Sequence, residues 1–234
     1  MMFDLDRFIA DCRLALAENQ SHKSVREVVA RAVADPASVL KGLGEPRRAE
    51  VQKLYHSEDL TILNVIWGPL MTIMPHNHQM WAVIGVYTGR EDNIFWRRIP
   101  GSEDGKVEAA GARALCEKDA EPLGRNIIHS VTNPISRLTG AIHVYGGDYF
   151  GAERSEWDPE TLLEQRYDVE KTVRLFEEAN AVQCERQSIG DEFTFAAPAH
   201  SRSRHYPAAQ ACPRSRRVLE DKRTICRRLV HRRP

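Results

Sequence analysis

With 234 residues, the chain has room for one ordinary domain plus extensions, and 42% hydrophobic with 28% charged residues fits a globular protein with a substantial core. No run approaches the ~18 consecutive apolar residues of a membrane span, and the opening MMFDLDRFIADCR lacks a basic-then-apolar leader, so a cytoplasmic protein with no membrane partner is expected. Lys+Arg and Asp+Glu balance at 33 each, yet residues 181–234 carry 12 basic against 5 acidic residues, leaving 21 against 28 in residues 1–180. That basic tail has no groove-reading motif and no aromatic interleaving beyond Phe193, Phe195 and Tyr206, so nucleic acid is not expected as a partner. The cysteines, Cys12, Cys116, Cys184, Cys212 and Cys226, are odd in number and never closer than 14 residues, which suggests neither a disulfide scaffold nor a CxxC metal knuckle.

In chain order, residues 3–34 carry helical signals. Leu5, Phe8, Ile9 and Cys12 share a face, and Ser24 to Glu27 (SVRE) reads as a capping box before VVARAVA. Asp35-Pro36 opens a further short helix that Gly42 or Gly44 closes. From about 51 to 150 the pattern changes to short β-rich runs between turns (LTILNVIWG, MWAVIGVYTG, NIFWRRIP, KVEAAGARAL, NIIHSVTNP, LTGAIHVYGGDYF), which predicts a β-sandwich or barrel. Asp158 and Pro159 then read as the start of a helical piece, and Val169, Val173 and Phe176 fall on one helical face. Four segments are therefore expected: a helical cap over 1–50, a β-barrel over 51–150, a C-terminal helical segment over 151–180, and a basic, disordered tail over 181–234.

The chemistry concentrates in four histidines. His76 and His78 stand at the mouth of a strand, where alternation turns both the same way. His129 and His143 lie in later strands. Imidazoles suit Fe(II), Zn, Cu or Ni better than the oxygen-seeking Ca or Mg, and no cysteine stands near to close a four-ligand structural zinc site, so an open site is expected.

The arrangement resembles the cupin superfamily, small double-stranded β-helix (jelly-roll) barrels whose first motif supplies HxH and whose second supplies a later His. The first motif matches from Gly68 through His76-Asn77-His78 to Gly89; the second matches Pro122-Leu123-Gly124, His129 and Asn133, with two extra residues before His129. The glutamate ligand many cupins add after HxH is missing, since Gln79, Met80, Trp81, Ala82 and Val83 follow. Within the superfamily this looks like the cysteine dioxygenase branch of thiol dioxygenases, because His143-Val144-Tyr145 follows His129 as the late HxY pair does there. The resemblance implies a mainly β fold with N-terminal helices and a C-terminal helix. It also implies His76, His78 and His129 as Fe(II) ligands, Tyr145 as a catalytic phenol supported by His143, and a small thiol and O₂ as substrates giving a sulfinate.

Some family features depart. The serine two residues before the supporting His is Ala141, and the cysteine that some members crosslink to the tyrosine falls at Val83. The carboxylate-gripping arginine would fall near Ser57, leaving Arg97 or Arg98 as candidate replacements. Two alternatives stay open: a cupin with Zn, Ni or Mn acting as a different dioxygenase or an isomerase, or a non-catalytic cupin that binds a metal or small ligand. Trp67, Trp81, Trp96 and Phe95 read as barrel packing.

Overall fold

The computed structural model describes residues 2–19 and 21–194, with side chains as far as residue 185. Three helices come first: α1 (Leu5–Glu18), α2 (His22–Val33) and α3 (Pro36–Leu43). Asp4 caps α1 by accepting from Arg7 N, and Asp35 caps α3 with Pro36 in its first turn. Gly44, at φ 90°, ends α3 in a conformation that glycine adopts without steric cost. For α2 the cap is Ser21, whose side chain accepts from Lys23 N, so the helix starts earlier than the SVRE signal at Ser24.

Nine strands follow: β1 (Glu50–His56), β2 (Thr61–Trp67), β3 (Thr72–Asn77), β4 (Ala82–Thr88), β5 (Arg90–Arg98), β6 (Val107–Cys116), β7 (Ala120–Leu123), β8 (Ile128–Thr132) and β9 (Thr139–Tyr145). A hairpin, β10 (Ser155–Trp157) and β11 (Glu164–Arg166), leads to α4 (Val169–Thr194). One sheet has the order β1-β2-β9-β4-β7, the other β11-β10-β3-β8-β5-β6, and every pairing is antiparallel. The chain alternates between sheets from β2 to β5 and again from β7 to β9. This is the double-stranded β-helix expected from the sequence.

Both faces of the first sheet are buried. Ile62, Val83, Tyr87, Ile142 and Val144 face outward and share an apolar cluster with Phe8, Cys12, Val25 and Val29 of the helices. At Gly85 a Cβ would stand 2.4 Å from Val29, so α2 lies on that strand at backbone distance. Leu63, Val65, Ile84, Val86, Ala141 and Tyr145 point the other way, into the core between the sheets.

Two expectations are corrected beyond β9. The segment at Asp158 is a turn and not a helix: the Asp158 carboxylate accepts from Glu160 N and Thr161 N, Leu162 takes φ 58°, and the chain reverses into β11. α4 runs to Thr194, beyond the Asn180 at which the sequence reading ends, and the rest of the basic tail, 195–234, lies outside the described residues. Phe176 of α4 stacks on Trp67 at 5.7 Å, while the Asn180 amide brackets the Ala49 backbone, accepting from its N–H at 2.7 Å and donating to its carbonyl at 2.9 Å. Among the described residues no helix is long and apolar enough to cross a membrane.

Candidate metal centre

β3 and β8 pair antiparallel, with Ile73 opposite Val131 and His76 opposite His129. Three steps on β3 match two on β8, so one extra residue is bulged at Met74-Pro75. The bulge lets Ile73 and His76 face the same interior although their spacing is odd.

His76, His78 and His129 are all buried, and their ring nitrogens lie within 4.8 Å of one another. His78 Nε2 is 3.2 Å from His76 Nε2 and 3.2 Å from His129 Nε2. A metal–nitrogen bond of ~2.1 Å sets ligand nitrogens about 3.0 Å apart at right angles and about 3.4 Å apart at tetrahedral angles, so this spacing suits one ion. The far nitrogens explain why the near ones are lone pairs. His76 Nδ1 donates to the Met74 carbonyl at 3.0 Å, and His129 Nδ1 donates to Asn93 Oδ1 at 2.6 Å. Their Nε2 atoms are then unprotonated in neutral rings, and one His78 N–H at most remains to serve both. A cation resolves this convergence of acceptors.

Electrostatics favours the same state. Burial lowers the His76 pKa to about 4, and burial with repulsion from its neighbours puts His78 and His129 well below the usual histidine value. At neutral pH all three are uncharged and need lose no proton to bind a metal. Among the described residues this is the sole cluster of three such ligands, and it contains no carboxylate.

Tyr145 and His143 stand beside the triad. The Tyr145 ring centroid is 5.0 Å from that of His78, and its hydroxyl is 3.1 Å from His143 Nδ1. Burial, aided by Tyr149, holds the Tyr145 phenol well above its ordinary pKa and so keeps its proton. Ala141 leaves His143 Nε2 without the serine that the resemblance suggests, and Glu91 of β5 takes that place at 3.2 Å. Glu91 is fully buried and also accepts from Trp67 Nε1 at 2.8 Å and Asn93 Nδ2 at 3.1 Å. Burial alone would raise its pKa; the His143 ring and the donors from His143, Asn93 and Trp67 outweigh that and hold it below the ordinary value. Trp67, expected as plain packing, thus also serves as a donor.

Other sequence candidates are placed elsewhere. Arg97 pairs with Glu108 and Arg98 with Glu164, both in partly exposed salt bridges, so neither serves the site. Val83 faces the helices, on the opposite side of its strand layer from Tyr145. Ser57 sits in a turn with Asp59 and Leu60. Asn133 ties together the β2 and β9 ends, donating to the Gly68 and Arg137 carbonyls and accepting from Thr139 Oγ1.

The arginine that sequence reasoning missed is Arg154. Its guanidinium carbon lies 4.0 Å from the Tyr149 ring centroid and 4.3 Å from that of Tyr167. It is 9% exposed, and its Nε and Nη1 have no hydrogen-bond partner. Its charge reaches the site, where it helps lower the pKa of His76 and His78. Arg154 lines an outer cavity of about 620 Å³, and the inner chamber at the histidines is about 40 Å³; Tyr149, Tyr167 and Phe176 wall both.

No protein-family description matches the sequence. Solved structures similar to this chain are cupins. One is an RmlC-like cupin family protein with a double-stranded β-helix fold from Methanocaldococcus jannaschii, at 12% identity over 45% of this chain and 86% of that one, with a TM-score of 0.38. Another is the DMSP lyase DddQ from Ruegeria pomeroyi, at 17% identity over 48% of this chain and 53% of that one, with a TM-score of 0.37. A third is oxalate decarboxylase from Bacillus subtilis, at 17% identity over 41% of this chain but only 22% of that one, with a TM-score of 0.32.

Proposed function

We propose that this chain is a mononuclear non-haem iron enzyme of the cysteine dioxygenase-like kind, which oxidises the sulfur of a small, carboxylate-bearing thiol to a sulfinate with O₂. The observation that carries the reading is the all-imidazole triad, free of carboxylate, with the protonated Tyr145 phenol beside it. Zn, Ni or Mn are the alternatives for the ion. The overall change is RSH + O₂ → RSO₂H: both oxygen atoms end on sulfur, which gives up four electrons, so no external reductant is needed.

Fe(II) on three neutral imidazoles supplies open positions for both reactants and exchanges electrons with them. The chain's own groups do the rest. His76, His78 and His129 hold the ion without first losing protons, because burial keeps them neutral. His143 fixes the Tyr145 hydroxyl, which can hydrogen-bond to a reactant in the inner chamber. Arg154 supplies the unpaired N–H groups that a substrate carboxylate needs, and its buried site makes that ion pair worth more than one in water. The small inner chamber keeps bulk water from the reacting sulfur.

The test is O₂ uptake by anaerobically purified, Fe(II)-loaded protein with a panel of small thiols. Mercaptoacetate, 3-mercaptopropionate and cysteine carry the carboxylate; 2-mercaptoethanol and cysteamine lack it. Uptake matched one-to-one by sulfinate is expected, with preference for the acids. Replacing Arg154 by Gln should raise KM for the acids about 10- to 100-fold, the ~1.5–3 kcal/mol of a charged hydrogen bond, while leaving the neutral thiol nearly unchanged. No thiol-dependent uptake with any of them would sink the reading.

A further inference from the structure

Glu91 and Asn93 are alternate residues of β5, both buried, and together they join the triad to the Tyr145 pair. The links run from His129 Nδ1 to Asn93 Oδ1 (2.6 Å), from Asn93 Nδ2 to Glu91 Oε1 (3.1 Å), and from His143 Nε2 and Trp67 Nε1 to Glu91 Oε2 (3.2 and 2.8 Å). Donor and acceptor roles along this path are not free. An ionised carboxylate only accepts and an indole N–H only donates. The Asn93 amide must therefore turn its NH₂ toward Glu91, which leaves its oxygen for His129. That oxygen needs a donor, so the His129 proton belongs on Nδ1 and its Nε2 lone pair faces the other two histidines.

We propose that Glu91 is a positioning residue which, acting through Asn93, holds the proton of His129 on Nδ1 and keeps Nε2 free for the metal, while its second oxygen holds a proton on His143 Nε2. One carboxylate thus sets the hydrogen-bond direction of both a metal ligand and the ring that meets Tyr145. The proposal rests on the reading of His129 as a ligand for its consequence, though the proton positions stand apart from it.

The isosteric variant Glu91→Gln reverses one link. Trp67 cannot accept, so the new amide must keep its oxygen on the Trp67 and His143 side and turn its NH₂ to Asn93. Asn93 must then flip and offer NH₂ to His129, and the His129 proton moves to Nε2, where it blocks the metal. Glu91→Gln combined with Asn93→Asp restores the original direction, because the introduced carboxylate accepts both from the new amide and from His129 while the pair's net charge is unchanged.

The experiment is ¹⁵N NMR of the imidazoles in the metal-free protein, which distinguishes the two neutral tautomers, beside Zn(II) affinity by competition with a chromophoric chelator. Wild type should show His129 protonated on Nδ1 and His143 protonated on Nε2. The single variant should move the His129 proton and bind Zn(II) about 10- to 100-fold more weakly, in line with the usual effect of removing a ligand's hydrogen-bond support. The double variant should recover both properties; a role in packing alone gives no reason for a second substitution to repair the first. Wild-type His129 protonated on Nε2, a single variant with both properties unchanged, or a folded double variant no better than the single would each overturn the proposal. The expected tautomers in all three proteins, with no Zn(II) bound by any, would support the proton relay and overturn the metal reading instead.

Discussion

The two faces of β9 differ in chemistry though not in burial. Ile142 and Val144 enter the apolar layer beneath α1 and α2, whereas Ala141, His143 and Tyr145 enter the barrel. On the outer face nearly everything is hydrocarbon, and its polar exception is closed on itself: the Tyr87 hydroxyl donates to Asn64 at 2.8 Å. The inner face buries four histidines, a glutamate, an asparagine and a tyrosine, and most of their bonding capacity is used up among themselves. Capacity is left over in two places, at the convergent lone pairs of the triad and at Arg154 Nε and Nη1. Burial is common to structural and functional faces; unspent hydrogen-bonding capacity separates them.

The largest effect expected from breaking this division is at the triad. His76→Ala combined with His78→Ala should abolish metal binding and turnover, yet leave the far-ultraviolet circular dichroism intact because the outer layer is untouched. Metal analysis of anaerobically purified wild type and variant checks this, and equal metal in both would remove the triad as the site. Next comes Ile142→Ala on the outer face. It should cost about 2–5 kcal/mol of stability in urea melts while metal affinity stays at the wild-type level. If the substitution weakened metal binding tenfold in protein that is still folded, the two faces would not be independent.

The smallest effect is a slope. Free histidine takes a proton near pH 6.5, but the folded chain refuses one at His76 until about pH 4. Between those values the unfolded chain binds more protons, so stability is complete above about 6.5 and falls as pH drops toward 4, by ~1.4 kcal/mol per pH unit for His76 alone. His78 and His129 act in the same direction. Urea midpoints of metal-free protein at pH 7.5, 6 and 5 should decline accordingly, and His76→Gln should flatten the decline.

Much of the inner face was legible from sequence because its signals are local. HxH alternation, the later PLG-linked histidine and HVY all lie within single strands, and the chain brings them together as their order implies. Glu91 was missed because Arg-Glu-Asp-Asn reads as a solvated charge string that places the start of the strand at Asn93; it begins at Arg90, and Glu91, Asn93 and Phe95 share the parity that faces inward. Alternation also misled at Arg97 and Arg98, where pairing with β6 shifts register between Phe95 and Trp96 and both side chains end in outer salt bridges. Arg154 had no local signal: its burial depends on Tyr149 on one side and Tyr167, beyond an intervening hairpin, on the other.

The bulge in β3 makes the centre sensitive to chain length as well as to residue type. His76 faces His129 because an extra residue is accommodated after Ile73. Deleting that one residue would turn both His76 and His78 to the opposite side of the sheet in a single step. Within β3 a lineage can therefore exchange many side chains and keep the centre, but a single-codon deletion removes two ligands at once while leaving every histidine in the sequence.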